Sequence, residues 1–542
     1  MLIITKKAGF PRMGKYRFFR SGLYLICFFI EEECMKKLLL ILLVLGLAVS
    51  VFATGGRQTT TTTTGGKISI SVGLWEFPKF GGDAWGDYIS DKFNVTITPI
   101  LQEWSDYQDV LRLQAATDSL PDSFSGYPLN ESWFSEFIDQ GLIRTIPDAM
   151  VNKYPNLKRM VDNVQEVGIM RQKLGAYYYV PRAEGLTGLL SKAFNSGIYY
   201  RKDWAEKLGY RDRPTDVETL YSMLRDFTTR DPDGNGRNDT YGYIGDATQI
   251  YAAFGAFPGF WVRANNQYIP GWADEGPMIQ GLTWLRRAYT EGVLDPEFTT
   301  DYTLVASKFA QDVFGAMSRN FGAVWVHRHI NEQFGGAHPN IADPLSTAVG
   351  WIGGLSARPG GTRYHPPKID ESGTVFRADL SDQKLDKLLE IYDWLVSKEG
   401  NDFSNWGFKD IDYRVNANGT FTKIEPRDLR EKYPSIIFGQ IWAVWPGEFE
   451  SMEHPDVPQN AKDFAMAYQL AANAAVDNVT VVDKLASITQ TPERTRFVFD
   501  ITAQLTQIIT GTADVTTMYR AMISDANARG LQGVITSVNR AR

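Results

Sequence analysis

The chain has 542 residues, 44% of them hydrophobic and 22% charged, the make-up of a soluble globular protein with core enough for two or three domains. Its formal net charge is −7. That balance excludes the usual nucleic-acid binder, which needs a basic face, and does not suit an anionic membrane surface.

The N-terminus is read before any fold reasoning. Met35, Lys36 and Lys37 precede an apolar run, LLLILLVLGLAVSVFA, which ends on Val51-Phe52-Ala53. This is the charged region, apolar region and small-residue cleavage site of a secretory signal. The run is short for a membrane span, which takes roughly 20 apolar residues, so cleavage is expected over a retained anchor. Residues 1–34 are read as an over-extended start, because a signal begins at its initiator and Glu31-Glu32-Glu33 would have purine-rich codons, as a ribosome-binding site does. Cys27 and Cys34, the two cysteines, lie in that stretch, so the mature chain has no disulfide, thiol nucleophile or lipid-attachment cysteine. The first 53 residues hold 8 Lys and Arg and 3 Asp and Glu; the remaining 48 and 60 give a net charge of −12. The product is expected free in a periplasm, or secreted, and not lipid-anchored. Residues 54–66, with six threonines between glycine pairs, read as a plain linker.

Folded structure is expected from Lys67. Ile68, Ile70 and Val72 alternate with polar residues, a strand pattern, and residues 93–99 read as a second strand. Residues 84–92 and 107–117 suit helices, the latter burying Val110, Leu111 and Leu113. This alternation predicts a parallel sheet covered by helices. Residues 177–181 and 197–200 read as strands near a domain crossover, and 203–208 as a helix. Thr215 and Glu218 form a capping box before Val217, Leu220, Leu224 and Phe227, which share one helical face. Met278, Leu282, Leu285 and Tyr289 mark another helix, with Gly292 as its C-cap; residues 323–326 look like a strand. Leu385, Leu388, Tyr392 and Leu395 mark a helix closed by Gly400, and residues 492–539 are helical.

No phosphate-cradling loop, HExxH zinc motif or GxSxG elbow occurs. His327 and His329 stand two apart without a third zinc ligand. No motif pairs two carboxylates across a cleft, as a glycosidase requires. The loop 231–239, DPDGNGRND, places oxygen donors at every second position: Asp231, Asp233, Asn235, the Arg237 carbonyl and Asp239. They match the first half of an EF-hand loop, but Gly242 stands where the bidentate Glu belongs, and a strand-like run comes next. The loop therefore suits a structural calcium site rather than a sensor, the other reading being a Gly-rich polar turn.

All 14 tryptophans lie beyond residue 53. Sugar sites use flat aromatic platforms rimmed by polar groups. Trp75 with Glu76, Asp122, Tyr178, Trp261, Trp325, Trp442 and Trp445 are the candidate ligand contacts, whereas Trp284 and Trp394 fall at helical spacing and read as core.

The segments LQAATDSLPDSFSG (113–126), YYYVPR (177–182), IYYRKDWAEKLGY (198–210), DPDGNGRNDTYG (231–242), YTEGVLDPEF (289–298) and LVSKEGNDFSNWGFKDIDY (395–413) together resemble the extracellular solute-binding proteins of ABC importers, in the sugar-type group that includes alginate-oligosaccharide binders. The resemblance implies an α/β, type II periplasmic-binding-protein fold, with two lobes joined by hinge crossovers around a ligand cleft. It divides the chain into lobe 1, residues 67–195 with about 350–420, and lobe 2, residues 196–349 with about 421–542. It also implies a monomer that captures an oligosaccharide without turnover and delivers it to a membrane permease, with the 231–239 loop as the calcium site and Trp75, Tyr178, Trp325 and the Trp442 region facing the sugar. A peptide-binding importer subunit, or a secreted glycan-active enzyme, is the alternative.

Overall fold

The computed structural model describes residues 66–542 apart from 104–105, 130–131, 183–191, 195, 299–303, 369–371, 418, 420, 425–426 and 444–455. The expected start segment, signal and almost all of the linker lie outside the described residues, as does Trp445. No described helix is long and apolar enough to cross a membrane.

The described strands are, in chain order, β1 (Ile68–Trp75), β2 (Val95–Gln102), β3 (Ser123–Gly126), β4 (Tyr179–Pro181), β5 (Ser196–Arg201), β6 (Tyr241–Ile244) and β7 (Trp261–Ala264). They continue as β8 (Gln267–Pro270), β9 (Phe314–Asn320), β10 (Val349–Ile352), β11 (Gly373–Phe376), β12 (Tyr413–Val415) and β13 (Phe421–Lys423). Two mixed sheets organise them, ordered β2-β1-β3-β11-β4 and β10-β5-β9-β6, beside the hairpins β7-β8 and β12-β13.

In the first sheet β1 runs parallel to β2, from Ile68 against Val95 to Trp75 against Gln102. The expected alternation holds where it matters, with Ile70, Val72 and Leu74 all buried. β11 inserts antiparallel between β3 and β4. Its core joins Ile70, Val72, Phe124 and Val180 to Val375, Leu388, Ile436 and Trp442.

In the second sheet successive residues of β5 serve opposite faces. Ile198 and Tyr200 join a core with Leu224, Met278, Leu285 and Ile508, while Tyr199 joins one with Phe309, Met317, Ile330 and Tyr468. Gly197 lies where the Tyr468 ring passes, and a Cβ there would come within 2.4 Å of that side chain.

The segment 350–420, expected in lobe 1, divides. β10 pairs with β5 of the second sheet, and only from β11 onward does the chain rejoin the first. The stretch after 420 likewise begins in the first core, with Leu429, Tyr433, Ile436 and Phe438, before Val457 enters the second lobe. Among the described residues, β10 and Val457 thus go with the second sheet, and β11 and the stretch from Leu429 to Ala443 with the first.

Other local differences have simple causes. Residues 323–326 are a helix, Ala323–Val326, continuing into a π-helical segment, His327–Phe334; four apolar residues cannot report their own period. The cap of the helix Val217–Thr229 is Asp216, whose carboxylate accepts from the Glu218 and Thr219 amides, while the Thr215 carbonyl accepts from Ser356 N. Leu113 is exposed and Leu111 buried, which rotates that helix from the expected face. Gly400 lies inside a new helix, Lys398–Trp406, whose cap Ser397 accepts from the Gly400 amide, so the preceding helix ends at Leu395 without it.

Candidate ligand cleft

The two sheets present the same kind of end to the crossings. β1, β2, β3 and β4 finish there with Trp75, Gln102, Gly126 and Pro181, and β6 and β9, which are parallel, finish there in the second lobe. Ligands of open α/β sheets bind beyond the carboxyl ends of strands, at such breaks in topology. The site is built from the last residues of these strands and the segments that leave them.

In the first lobe Trp75 is buried, with its ring edge-on to Tyr107 at 5.4 Å and tilted on Tyr127 at 5.9 Å. Arg182 comes directly after β4 and lays its guanidinium 5.0 Å from the Trp75 ring centroid. It donates Nε to the Ile441 carbonyl at 2.9 Å and Nη1 to Ser372 Oγ at 3.2 Å. Burial pushes the Arg182 cation down to about 9, against the raising influence of Tyr127 and Glu76, so it stays charged at neutral pH. Gln102 is 4% exposed and pairs in register with Trp75, and neither polar atom of its amide has a hydrogen-bond partner among the described residues. A buried amide left in this state is costly unless a ligand or water completes it.

Glu76 takes a left-handed backbone, φ 54°, and is bound by Arg430 Nη1 at 3.1 Å; Arg430 Nε also donates to Gln440 at 2.7 Å. Gln440 lies in a π-helical turn, Phe438–Trp442, a geometry that recurs at functional sites. The second such segment, His327–Phe334, lies at the same end of the other lobe. There Trp325 is half-buried, stacked on His329 at 5.9 Å, with the Arg328 guanidinium 5.1 Å from its ring. His329 is held neutral, its pKa lowered to about 3 by burial and then by Arg319 and Arg328.

Other residues expected at the site stand elsewhere. Asp122 is a clamp: its Oδ2 accepts from Ser71 N and Lys384 Nζ, each at 2.9 Å, and its own amide donates to Ser71 Oγ, tying β1 to β3. Trp442 is fully buried in the first core, stacked on Phe438 and donating to Ser123 Oγ at 3.2 Å. Trp261 is buried in β7, its backbone held by Ser487 and Asp483. Tyr178 is half-buried against the first core just before β4. Loop-like sequence around a tryptophan does not separate a platform from a core plug, because both are ringed by short polar residues. The residues missed were Gln102, Arg182, Arg328 and Arg430. Arg182 and Gln102 had one readable signal, a polar residue closing an apolar strand.

The 231–239 loop is wound as expected, with Asp231 at φ 45° and Gly234 and Gly236 in the left-handed region. Asp231 accepts from the Gly234, Asn235 and Gly236 amides at 3.0–3.1 Å. Partial desolvation works to raise its pKa, but the bond with Asp233 and these amides hold it below the ordinary carboxylate value, while Asp233 is raised, first by desolvation. The Asn235 side-chain amide donates to Asp233 at 2.8 Å and to Asp239 at 3.0 Å, so three side chains meet at one point. No group of three Asp, Glu, His or Cys side chains among the described residues could by itself hold a metal. A hard-cation site here depends on the Asn235 oxygen and backbone carbonyls as well as the carboxylates.

Residues 81–324 match the family model of bacterial extracellular solute-binding proteins. Lipoprotein LipO of Bacillus subtilis is 27% identical over 240 residues, 42% of this chain and 45% of LipO. The fructooligosaccharide ABC transporter substrate-binding protein FusA of Streptococcus pneumoniae is 27% identical over 230 residues, 39% of this chain and 43% of FusA. The chain thus spans less than half the length of these curated relatives. In structure, FusA in complex with kestose superposes with a TM-score of 0.63 at 17% identity, over 87% of this chain and 98% of that one. The alginate-binding protein AlgQ2, solved without calcium ion, gives 0.64 at 16% identity, over 88% and 98%. A FusA EF-hand mutant in complex with fructo-nystose gives 0.61 at 16% identity, over 87% and 98%.

Proposed function

We propose that this chain is a bacterial extracellular solute-binding protein that captures an oligosaccharide in the cleft and delivers it to an ABC permease, a reading supported by the family match over residues 81–324 and by the fold. The observation that carries the reading is the pairing of an indole with polar and cationic groups at the carboxyl ends of strands in both lobes: Trp75 with Gln102 and Arg182, and Trp325 with Arg328. A sugar needs an apolar platform for its C–H face and planar donors for its hydroxyls. A ligand touching both sets gains its full contacts only when the lobes close, so binding shifts the population toward the closed form, the one a permease would engage. Capture without turnover, in the extracellular or periplasmic space, completes the proposal.

The 231–239 loop fits a structural calcium. Asp231, Asp233, Asn235, Asp239 and the Arg237 carbonyl would hold it, and the cation would take over from the Asn235 amide the task of joining Asp233 to Asp239. Relatives whose structures concern an EF-hand mutant and a calcium-free form support the same reading.

The test is calorimetry of the purified protein against a panel of neutral and acidic oligosaccharides, with the mixtures then analysed for cleavage. Binding with intact sugar is expected. Cleaved products, or binding of peptides in place of sugars, would overturn the reading.

A further inference from the structure

Resting on the solute-binding reading only for the premise that the lobes part, a contact outside the cleft bears on how they do so. The helix Lys484–Ile488 is gripped at both ends by chain that packs in the second core with Trp261, Val534 and Val538. Asp483 caps it, accepting from the Ala486 amide at 2.7 Å, and Arg542 donates to Asp483 through Nε at 2.9 Å and Nη2 at 2.6 Å. At the other end Arg494 Nη1 donates to the carbonyls of Ala486, Ser487 and Thr489 at 2.8–3.2 Å. Trp261, expected at the sugar, serves here instead. Its carbonyl accepts from Asp483 N, its amide donates to Ser487 Oγ at 2.9 Å, and the Arg494 guanidinium lies 5.5 Å from its ring centroid.

From that seat the helix reaches the first core. Ile488, 1% exposed, packs there with Val167 and Met170 of the helix Gln165–Leu174, whereas Ala486, two residues earlier, packs in the second core. Lys484 Nζ donates to Glu166 Oε1 at 2.7 Å, and Lys173 Nζ donates to Thr489 Oγ1. Glu166 is 1% exposed, while the Lys484 side chain keeps 36% of its surface in water.

Taking a carboxylate out of water is costly, and the attraction of a partner cation roughly offsets that cost. The contact also carries its own opposition. The Lys173 cation is lowered first by burial and then by Arg494 and Arg542, which face it from the second lobe. Attraction at Glu166 against repulsion at Lys173 leaves the docking poised rather than permanent. Across the cleft, Arg328 lowers the Arg430 cation, behind burial and against Glu76, so the contact is made while the two sides of the cleft are within electrostatic range.

We propose that the helix Lys484–Ile488 is an interlobe latch. Fixed to the second lobe, it docks Lys484 and Ile488 on the first as the lobes approach and releases them as the lobes part, which sets the balance of closed and open forms from outside the cleft. A ligand meets only the fraction of molecules in the competent form, so a weaker latch lowers apparent affinity with every cleft contact intact.

The test is made without ligand. Small-angle scattering and hydrogen exchange are recorded on the purified protein, on Lys484→Met, and on the double variant Glu166→Gln with Lys484→Met. Lys484→Met strands a buried carboxylate that reaches water when the lobes part. A larger radius of gyration is expected, with exchange in residues 165–174 and 484–488 faster by roughly tenfold or more. The double variant removes that charge and keeps Ile488, so both readouts are expected to return toward the parent. Unchanged scattering in Lys484→Met overturns the latch, even if the helix itself exchanges faster, and an equally expanded double variant overturns the role of the ion pair. A Lys484→Met protein that unfolds while the double variant folds also overturns it, because a latch frees Glu166 by opening rather than by unfolding. Each of these failures leaves sugar capture to its own calorimetric test.

Discussion

Arg182, just after β4, stands over the Trp75 ring at the end of β1, and its other bonds reach the Ile441 carbonyl and the Ser372 hydroxyl. One side chain thus joins the end of β4 to two segments that return after the second sheet's strands. Trp75 beneath it is packed in the first core and is the proposed platform. Trp75→Ala should cost about 3–5 kcal/mol in a denaturant melt, as large aromatic truncations do, and abolish ligand binding in calorimetry. A variant that keeps full stability would mean that the ring is not packed as described.

Gln102 should behave in the opposite way. Its amide has no partner among the described residues, so Gln102→Met, similar in volume, should leave the melting temperature within a degree or two, or raise it. Ligand affinity should fall at least tenfold, because the ligand then loses a buried hydrogen-bonding group. Unchanged affinity would remove Gln102 from the site.

Asp122 tests the separation of clamp from contact. Asp122→Asn halves the charge-assisted bonding between Ser71 and Lys384, and a loss of about 2 kcal/mol is expected from a buried carboxylate whose lysine partner is partly exposed. Ligand affinity should not move. A selective loss of binding with intact stability would return Asp122 to the cleft.

Acid should weaken the fold through two histidines. His365, on the crossing between β10 and β11, donates Nδ1 to the Pro366 carbonyl, which leaves Nε2 to accept from Gln249 and Tyr468, both at 2.8 Å. Burial, the largest influence, lowers its pKa to about 4, and lowers that of His329 to about 3. Both are neutral when folded, and the unfolded chain binds their protons near pH 6.5. Their stabilisation is therefore complete above about 6.5 and is lost as pH falls toward 4, by about 3 kcal/mol for His365. Equilibrium unfolding from pH 7 to 4 should show this slope, and His365→Gln should flatten it. A slope untouched by that substitution would contradict the account.

Calcium removal completes the set. With the ion bound, chelation should lower the melting temperature by several degrees, and Asp231→Asn should abolish that response. A melting temperature indifferent to both chelator and added calcium would reduce the 231–239 loop to a polar turn.

The alternation in β1, the helical faces around Leu224 and Leu285, and the oxygen spacing from Asp231 to Asp239 were legible because each is a local period. What escaped were facts set by distant chain. β11 is four residues long and pairs across 247 positions, from Gly373 to Gly126, which no local pattern encodes. Trp442 stands among the candidate ligand contacts by sequence, yet Phe438, Tyr392 and Ser123 close around it. Arg182 and Arg430 meet Ile441 and Glu76 across 259 and 354 positions of chain.

The placement of β11 also sets a timetable. Gly126 leaves the ribosome long before Gly373, and at about 5–20 residues per second the interval is on the order of 10–50 s. Until then the first sheet has a gap between β3 and β4, and its core lacks Val375, Leu388 and Ile436. The nascent first lobe must therefore wait, loosely collapsed, while the second lobe's strands are made. A chain that cannot finish its first domain early stays threadable until its last strand is made.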